Sequence, residues 1–476
     1  MDSGRRLADV ARNRPVLRTA LCVRGLPFEV DGPNFSDRRI QLHHRMVTLR
    51  RRSVQTSSTA LAGRMNVKRK LGSSLAISDR STIGYCTNVH PGVALDQIKQ
   101  NLERESLEVK RQVSPNRPMA IGLWLSSTAT QELMDQDTRI RFRDWLQLRD
   151  LVPYTVNAFP AGNFHQKVVK HDVYKPTWAD KSRLDYTCRV ATILTDLLPR
   201  GTHGTISTLP LAWPWPTTAD GETLGSNSIS FLTTCAQHLA QAALVLAELE
   251  EKHDVHLRLC IEPEPGCLLD RAQDVVAYFR RYLFEADQHA GSLQLIQRHL
   301  GVCHDICHSA VMFEPQAMAL DQYAEANIAI GKVQVSSAVE VDFDSLDATK
   351  AAQTFSQLAQ FAEPKYLHQT SIRTNGPVQY FSDLPLALDS VGPNKTCGKW
   401  RVHFHVPIHE ATLGLIHSTQ SQILDCIEWF KDSPQPDCHF EVETYAWNVL
   451  PESLQPARLA DGIAAEMNWF LDRFNH

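Results

Sequence analysis

The sequence predicts an α/β protein: a (β/α)8 barrel over residues 81–476, preceded by a disordered basic extension, residues 1–80. Two observations predict it. From residue 81 onward, short β-branched or aromatic runs recur with longer amphipathic stretches between them, the pattern of parallel strands joined by helical crossovers. Eight such units over roughly 390 residues fit a closed barrel with insertions. A third observation weighs against the alternative, a doubly wound open sheet: no Gly-x-Gly-x-x-Gly follows a strand and opens a helix.

In chain order the strand-like runs are 83–90, 120–126, 153–159, 204–211, 256–262, 301–305, 330–336 and 440–445. Helix-like stretches include 96–111, 183–198, 228–252, 272–286 and 419–431. A ninth strand-like run, 401–407, exceeds the eight places, so it is assigned to an insertion around 338–436 at the barrel mouth. There is no Walker-type phosphate loop, and no Gly-x-Ser-x-Gly to support a nucleophile-elbow hydrolase.

Composition narrows the classes. Of 476 residues, 43% are hydrophobic and 21% charged, which excludes wholesale disorder. The net charge of −4 divides unevenly. Residues 1–80 carry seventeen Lys and Arg against six Asp and Glu, and the remainder thirty-two against forty-seven, a net of −15. An acidic barrel argues against nucleic acid as a partner. The basic segment is acid-poor, with arginines breaking every apolar run, so it reads as a tail, with a transit-peptide-like character or Met65 as a later start. The longest apolar helix-like stretch, 242–249, is far short of the ~20 residues a bilayer needs, so no transmembrane segment is expected. Eleven scattered cysteines suggest reduced thiols and a cytoplasmic protein.

In such barrels the chemistry lies at the carboxyl ends of the strands. Strand five runs into Glu262-Pro263-Glu264-Pro265-Gly266, where the prolines and glycine turn the chain at the rim. Strand six ends Cys303-His304-Asp305-Ile306-Cys307-His308, and the three-residue spacing puts Asp305 and His308 on one side of the turn that follows. Strand seven places Lys332, Gln334 and Ser336 on one face by its period of two; the same rule pairs His403 with His405 and Glu441 with Glu443, Glu443 nearer the rim. Each residue taken alone is more often a cap, a solvated loop residue or a core histidine. Together, carboxylates and imidazoles converging on a barrel mouth suit one divalent metal, Mn²⁺, Mg²⁺, Co²⁺ or Zn²⁺. Cys303-x-x-x-Cys307 is a weak zinc signal, since no second cysteine pair stands at zinc-finger spacing. Trp213-Pro214-Trp215-Pro216 after strand four offers an apolar lip.

Several motifs resemble the metabolite traffic protein EboE family. They are Gly84-Tyr85-Cys86-Thr87-Asn88-Val89-His90-Pro91-Gly92, Thr155-Val156-Asn157-Ala158-Phe159-Pro160, Ile206-Ser207-Thr208-Leu209-Pro210-Leu211, Glu262-Pro263-Glu264-Pro265-Gly266, the Gly301 to His308 run, Lys332 to Ser337, Tyr366-Leu367-His368-Gln369, His403-Phe404-His405-Val406-Pro407 and Val442-Glu443-Thr444-Tyr445. The resemblance covers about 81–476. That family is similar to the xylose isomerase-like TIM barrels, whose members include isomerases, epimerases and the endonuclease IV group. The resemblance implies that Glu262, Asp305 and Glu443 bind a metal and that His308 completes an Asp-x-x-His motif. Gln334 stands where a histidine ligand is usual, leaving His403 or His405 to supply the imidazole. Three functions follow. The first is a metal-dependent sugar isomerase or epimerase with Glu262 and Glu443 as acid and base, and Gln334, His403, His405 and Asn157 on substrate. The second is a phosphodiester hydrolase of endonuclease IV type, using His308, His403 and His405 with His90 and His165. The third is a non-catalytic metabolite-binding protein. The expected partners are a small-molecule metabolite and proteins of the same metabolite-traffic cluster.

Overall fold

Eight parallel strands close on themselves in the computed structural model, in the order β1-β14-β7-β6-β5-β4-β3-β2. These are β1 Thr82–Cys86, β2 Met119–Trp124, β3 Leu151–Asn157, β4 Thr202–Thr208, β5 Val255–Ile261, β6 Leu300–Asp305, β7 Ala329–Val335 and β14 His439–Val442. The structure describes residues 82–215, 225–284, 292–393, 395–435 and 437–475, so the basic extension and Pro216 lie outside the described residues. Helices cross between the strands and cover them, which is why the strands read as near-continuous apolar runs.

The strands begin one to two residues before the runs expected from sequence; β5 and β14 end before Glu262 and Glu443, and β6 ends on Asp305 itself. Those three acids therefore stand at the rim. Between β7 and β14 the chain builds a second, six-stranded sheet, order β10-β9-β11-β8-β13-β12. Its strands are β8 Val339–Asp342, β9 Thr370–Arg373, β10 Gln379–Phe381, β11 Lys399–Val402, β12 Thr412–Leu413 and β13 Ile416–Ser418.

Two expectations need correction. The run 401–407 is not a strand throughout: β11 ends at Val402, where the Phe404 amide turns back onto the Val402 carbonyl at 2.8 Å. His403 and His405 thus owe their convergence to an irregular segment and not to strand alternation. The helix Ile229–His253 is long and apolar enough to cross a membrane by length and composition, contrary to the shorter stretch read from sequence. Its buried side, Phe231, Cys235, Leu239 and Leu246 among others, packs on the barrel beside the helix Lys181–Leu197 and β5. Among the described residues all ten cysteines are free thiols.

Inside the barrel the layer beneath the mouth is polar. Lys332 Nζ pairs with Glu441 Oε2 at 2.6 Å, both wholly buried, and also donates to Asn157 Oδ1 at 2.6 Å and Ser207 Oγ at 3.2 Å. Gly122 makes room for this plug: a Cβ there would lie 1.3 Å from Glu441 Oε1. Ordinary packing cannot absorb that overlap.

Candidate functional site

The strand ends and the loops over them bring four acids and three imidazoles into one mouth. Glu262 follows β5, Asp305 closes β6, and Glu443 follows β14; one carboxylate oxygen from each lies within 4.8 Å of the others. Asp305 Oδ1 caps the helix Ile306–Val311, accepting the His308 amide at 2.8 Å and the Ser336 hydroxyl at 2.9 Å. Its Oδ2 is buried and has no hydrogen-bond partner. Glu443 Oε1 accepts from Asn88 Nδ2 at 2.7 Å. Glu264, two residues beyond Glu262, accepts Tyr174 Oη–H at 2.6 Å and Gln369 Nε2–H at 3.0 Å on Oε1, leaving Oε2 without a partner.

The imidazoles are all held in one tautomer. His308 Nδ1 lies 2.7 Å from the Pro263 carbonyl, His405 Nδ1 2.7 Å from the Glu443 carbonyl, and His403 Nδ1 2.7 Å from Gln369 Oε1. The two bonds that Gln369 Nε2 donates, to Tyr174 and Glu264, fix which end of its amide faces His403. A carbonyl oxygen only accepts, so each Nδ1 carries the proton and each Nε2 is a bare lone pair. His308 Nε2 and His403 Nε2 face each other at 3.2 Å, and His405 Nε2 stands 3.8 Å from Asp305 Oδ2. The atoms form linked triads: Glu262/Asp305/Glu443, Asp305/His308/His405 and Glu264/His308/His403. Histidines whose second nitrogen is tied to a carbonyl are the usual form of metal-binding imidazoles.

Electrostatics point the same way. Burial, then the charge of Asp305, pushes Glu262 up to about 8. Burial, then Glu262 and Asp305, raises Glu443 well above the carboxylate range, and burial raises Asp305 and takes Glu264 to about 7. Burial also lowers the imidazoles, His308 to about 3 and His405 to about 4, so they are neutral. The acids repel one another with no imidazolium to offset them, a set that a divalent cation would relieve. The orphaned Asp305 Oδ2, Glu264 Oε2 and His405 Nε2 fit such an ion.

Above these groups lies a pocket that opens outward. Glu262, Glu264, His308, His403, His405, Glu443 and Asn157 line its floor, and Phe159, Phe164, Tyr174, Tyr366, Leu367 and Tyr445 its walls. Among the described residues its one lysine or arginine, Lys170, is paired with Asp383. Of the residues read from sequence, Gln334 lies deeper: its Nε2 donates to Asn157 Oδ1 at 3.2 Å and its Oε1 has no partner. Asn157 donates toward Cys86 Sγ and Glu443 and accepts from Lys332, Ser207 and Gln334, so protein groups surround its amide. His90 and His165 do not join the cluster; they bond Tyr85 and the Asn88 carbonyl. Trp213 packs on Tyr174 at 5.2 Å, whereas Trp215 packs edge-on against Phe231, so the expected lip is only half at the mouth. The residues that the sequence reading did not place are Glu264, Asn88 and Gln369. Glu264 had a signal, the second acid of a Glu-Pro-Glu-Pro turn; the other two had only their places in the Gly84 to Gly92 and Tyr366 to Gln369 motifs.

No protein-family model matches the chain, and no curated protein matches it. Among solved structures it is similar to a xylose isomerase domain protein from Alicyclobacillus acidocaldarius subsp. acidocaldarius, at 10% identity over 83% of this chain and 98% of that one, TM-score 0.40. It is also similar to a D-tagatose 3-epimerase-like protein, at 10% identity over 83% and 98%, TM-score 0.41. A third is a xylose isomerase-like TIM barrel protein from Mycobacterium smegmatis in complex with magnesium, at 9% identity over 83% and 96%, TM-score 0.43.

Proposed function

We propose that the chain is a xylose isomerase-like barrel enzyme that moves a proton between carbon atoms of a small hydroxy-carbonyl or polyol metabolite, with a divalent metal held by Glu262, Asp305, Glu443 and an imidazole of His308 or His405. The observation that carries this reading is the placement of Glu262 and Glu443. They reach one point from β5 and β14, strands that are not neighbours, and both line the pocket floor. When bound, the metal supplies Lewis-acid polarisation of a substrate oxygen. One of the two carboxylates takes the proton from the adjacent carbon, and the other returns it. Asn88 orients Glu443 through its amide, and the aromatic walls exclude water. Among the described residues the lining's one cation is already paired, which disfavours a phosphorylated or polyanionic substrate. The resemblance of the motifs to the EboE family supports a place in the processing of secondary-metabolite precursors.

One observation favours the hydrolase reading instead: the facing lone pairs of His308 and His403 leave room for a second cation in the mouth. Metal content of the mouth and deuterium exchange separate the two. One equivalent, with Glu443-dependent incorporation of solvent deuterium into a hydroxy-ketone, supports the isomerase. Two or three equivalents with phosphodiester cleavage overturn it, and tight metabolite binding without exchange in metal-loaded protein leaves a binder.

A further inference from the structure

At the amino-terminal ends of the strands, opposite the mouth, a separate set of ligand-type side chains comes together. Glu250 lies in the last turn of the helix Ile229–His253, His256 is the second residue of β5, and His299 ends the helix Leu293–His299. One atom from each lies within 4.8 Å of the others. His299 Nδ1 is 2.8 Å from the Leu257 carbonyl and must donate to it. Its Nε2 is then a bare lone pair, fully buried and without a hydrogen-bond partner, set 3.4 Å from Glu250 Oε2. Two acceptors repel at that distance unless a cation or a proton lies between them.

The distances fit a metal. Glu250 Oε2 is 3.4 Å from His256 Nδ1 as well as 3.4 Å from His299 Nε2. Bonds of about 2.0–2.1 Å to a tetrahedral zinc ion hold neighbouring donor atoms roughly 3.3–3.4 Å apart. Arg298 holds the far side of the carboxylate, with Nε 2.7 Å from Oε2 and Nη2 on Oε1. That pairing keeps Glu250 ionised and leaves Oε2 a second lone pair. A surface groove bordered by Leu244, Glu248 and Glu251 reaches Glu250 and His299, giving an ion an entry and a solvent position.

We propose that Glu250, His256 and His299 form a zinc-type transition-metal site at the foot of the barrel, tying two helix ends to the start of β5. Two imidazoles with one carboxylate prefer zinc, cobalt or nickel to magnesium or calcium. The site is independent of the chemistry at the mouth.

The test uses the full chain carrying Asp305→Asn and His403→Ala, which together break every ligand group of the mouth and leave the foot. With zinc present in slight excess, this chain should bind one equivalent more than the same chain with His256→Ala. Cobalt should give it the intense visible absorption of a tetrahedral ion, and His256→Ala or His299→Gln should abolish that absorption. His256 is partly exposed, so its variant remains readable if the buried His299 variant fails to fold. Equal zinc equivalents with and without His256, or a cobalt spectrum showing only weak octahedral bands, would overturn the site.

Discussion

Glu441 and Glu443 stand two residues apart on one face of the last barrel strand and its extension, both wholly or nearly buried, yet their surroundings are opposite. Glu441 faces Lys332 at 2.6 Å inside a plug that the protein neutralises by itself. Glu443 faces two further acids and the amides of Asn88 and Asn157. The alternation separates a layer whose charge Lys332 balances, although Glu441 Oε1 has no hydrogen-bond partner, from a layer in which three acids converge with no ion-paired cation among the described residues. The lower layer is a foundation and the upper one a site.

The sharpest way to break this comparison is Lys332→Met. It strands the Glu441 charge and should cost ~3–5 kcal/mol in urea denaturation, with most of the loss recovered when Glu441→Gln is added. An unchanged midpoint would mean that the plug is not an ion pair. Next in size is the upper layer's response to metal. Manganese at roughly 100-fold above its dissociation constant should stabilise the chelator-treated parent by about 2.7 kcal/mol. Glu443→Gln should lose most of that gain while making the metal-free protein more stable, because one of three mutually repelling carboxyls is gone.

Gly122→Ala reads the floor between the layers. Its new methyl meets the Glu441 carboxylate, which Lys332 holds in place, so a loss of ~1–3 kcal/mol is expected by thermal unfolding. The smallest effect concerns a third buried acid. Glu466 accepts from the Ile408 amide, Thr444 and Trp447, which brace the loops carrying His405 and Glu443. Burial lifts it from the usual 4.5 to about 7. A raised acid contributes fully below its unfolded value and loses that contribution as the pH climbs through its folded one. Glu466→Gln should therefore be about 1 kcal/mol less stable than the parent at pH 5, through the lost Trp447 bond, and this deficit should shrink by pH 8. A constant difference across that range would mean that Glu466 does not titrate there.

The barrel was legible because its signal is local. Each strand is a short apolar run that ends at a polar motif, and period two alone put Glu441 and Glu443 on one face and Lys332 with Gln334 on another. The acids at the ends of β5, β6 and β14 could be named because a rim residue is one that follows the run. Period two does not account for the direction of His403 and His405, which the turn after Val402 sets. Glu264 and Gln369 escaped because their partners, Tyr174 and His403, lie far away in sequence.

Alternation and hydrophobic run length, properties of neighbouring residues, marked the eight barrel strands and the acids that stand at their ends, but not the second sheet beyond one of its strands. Which acid meets an ammonium, and which imidazole nitrogen is left bare, was decided only when the closed sheet set β7 against β14 and laid the six-stranded sheet's loops over the mouth. Those pairings join residues 109 positions apart for Lys332 and Glu441 and 38 apart for His405 and Glu443, so no single strand or helix contains both halves of the interaction.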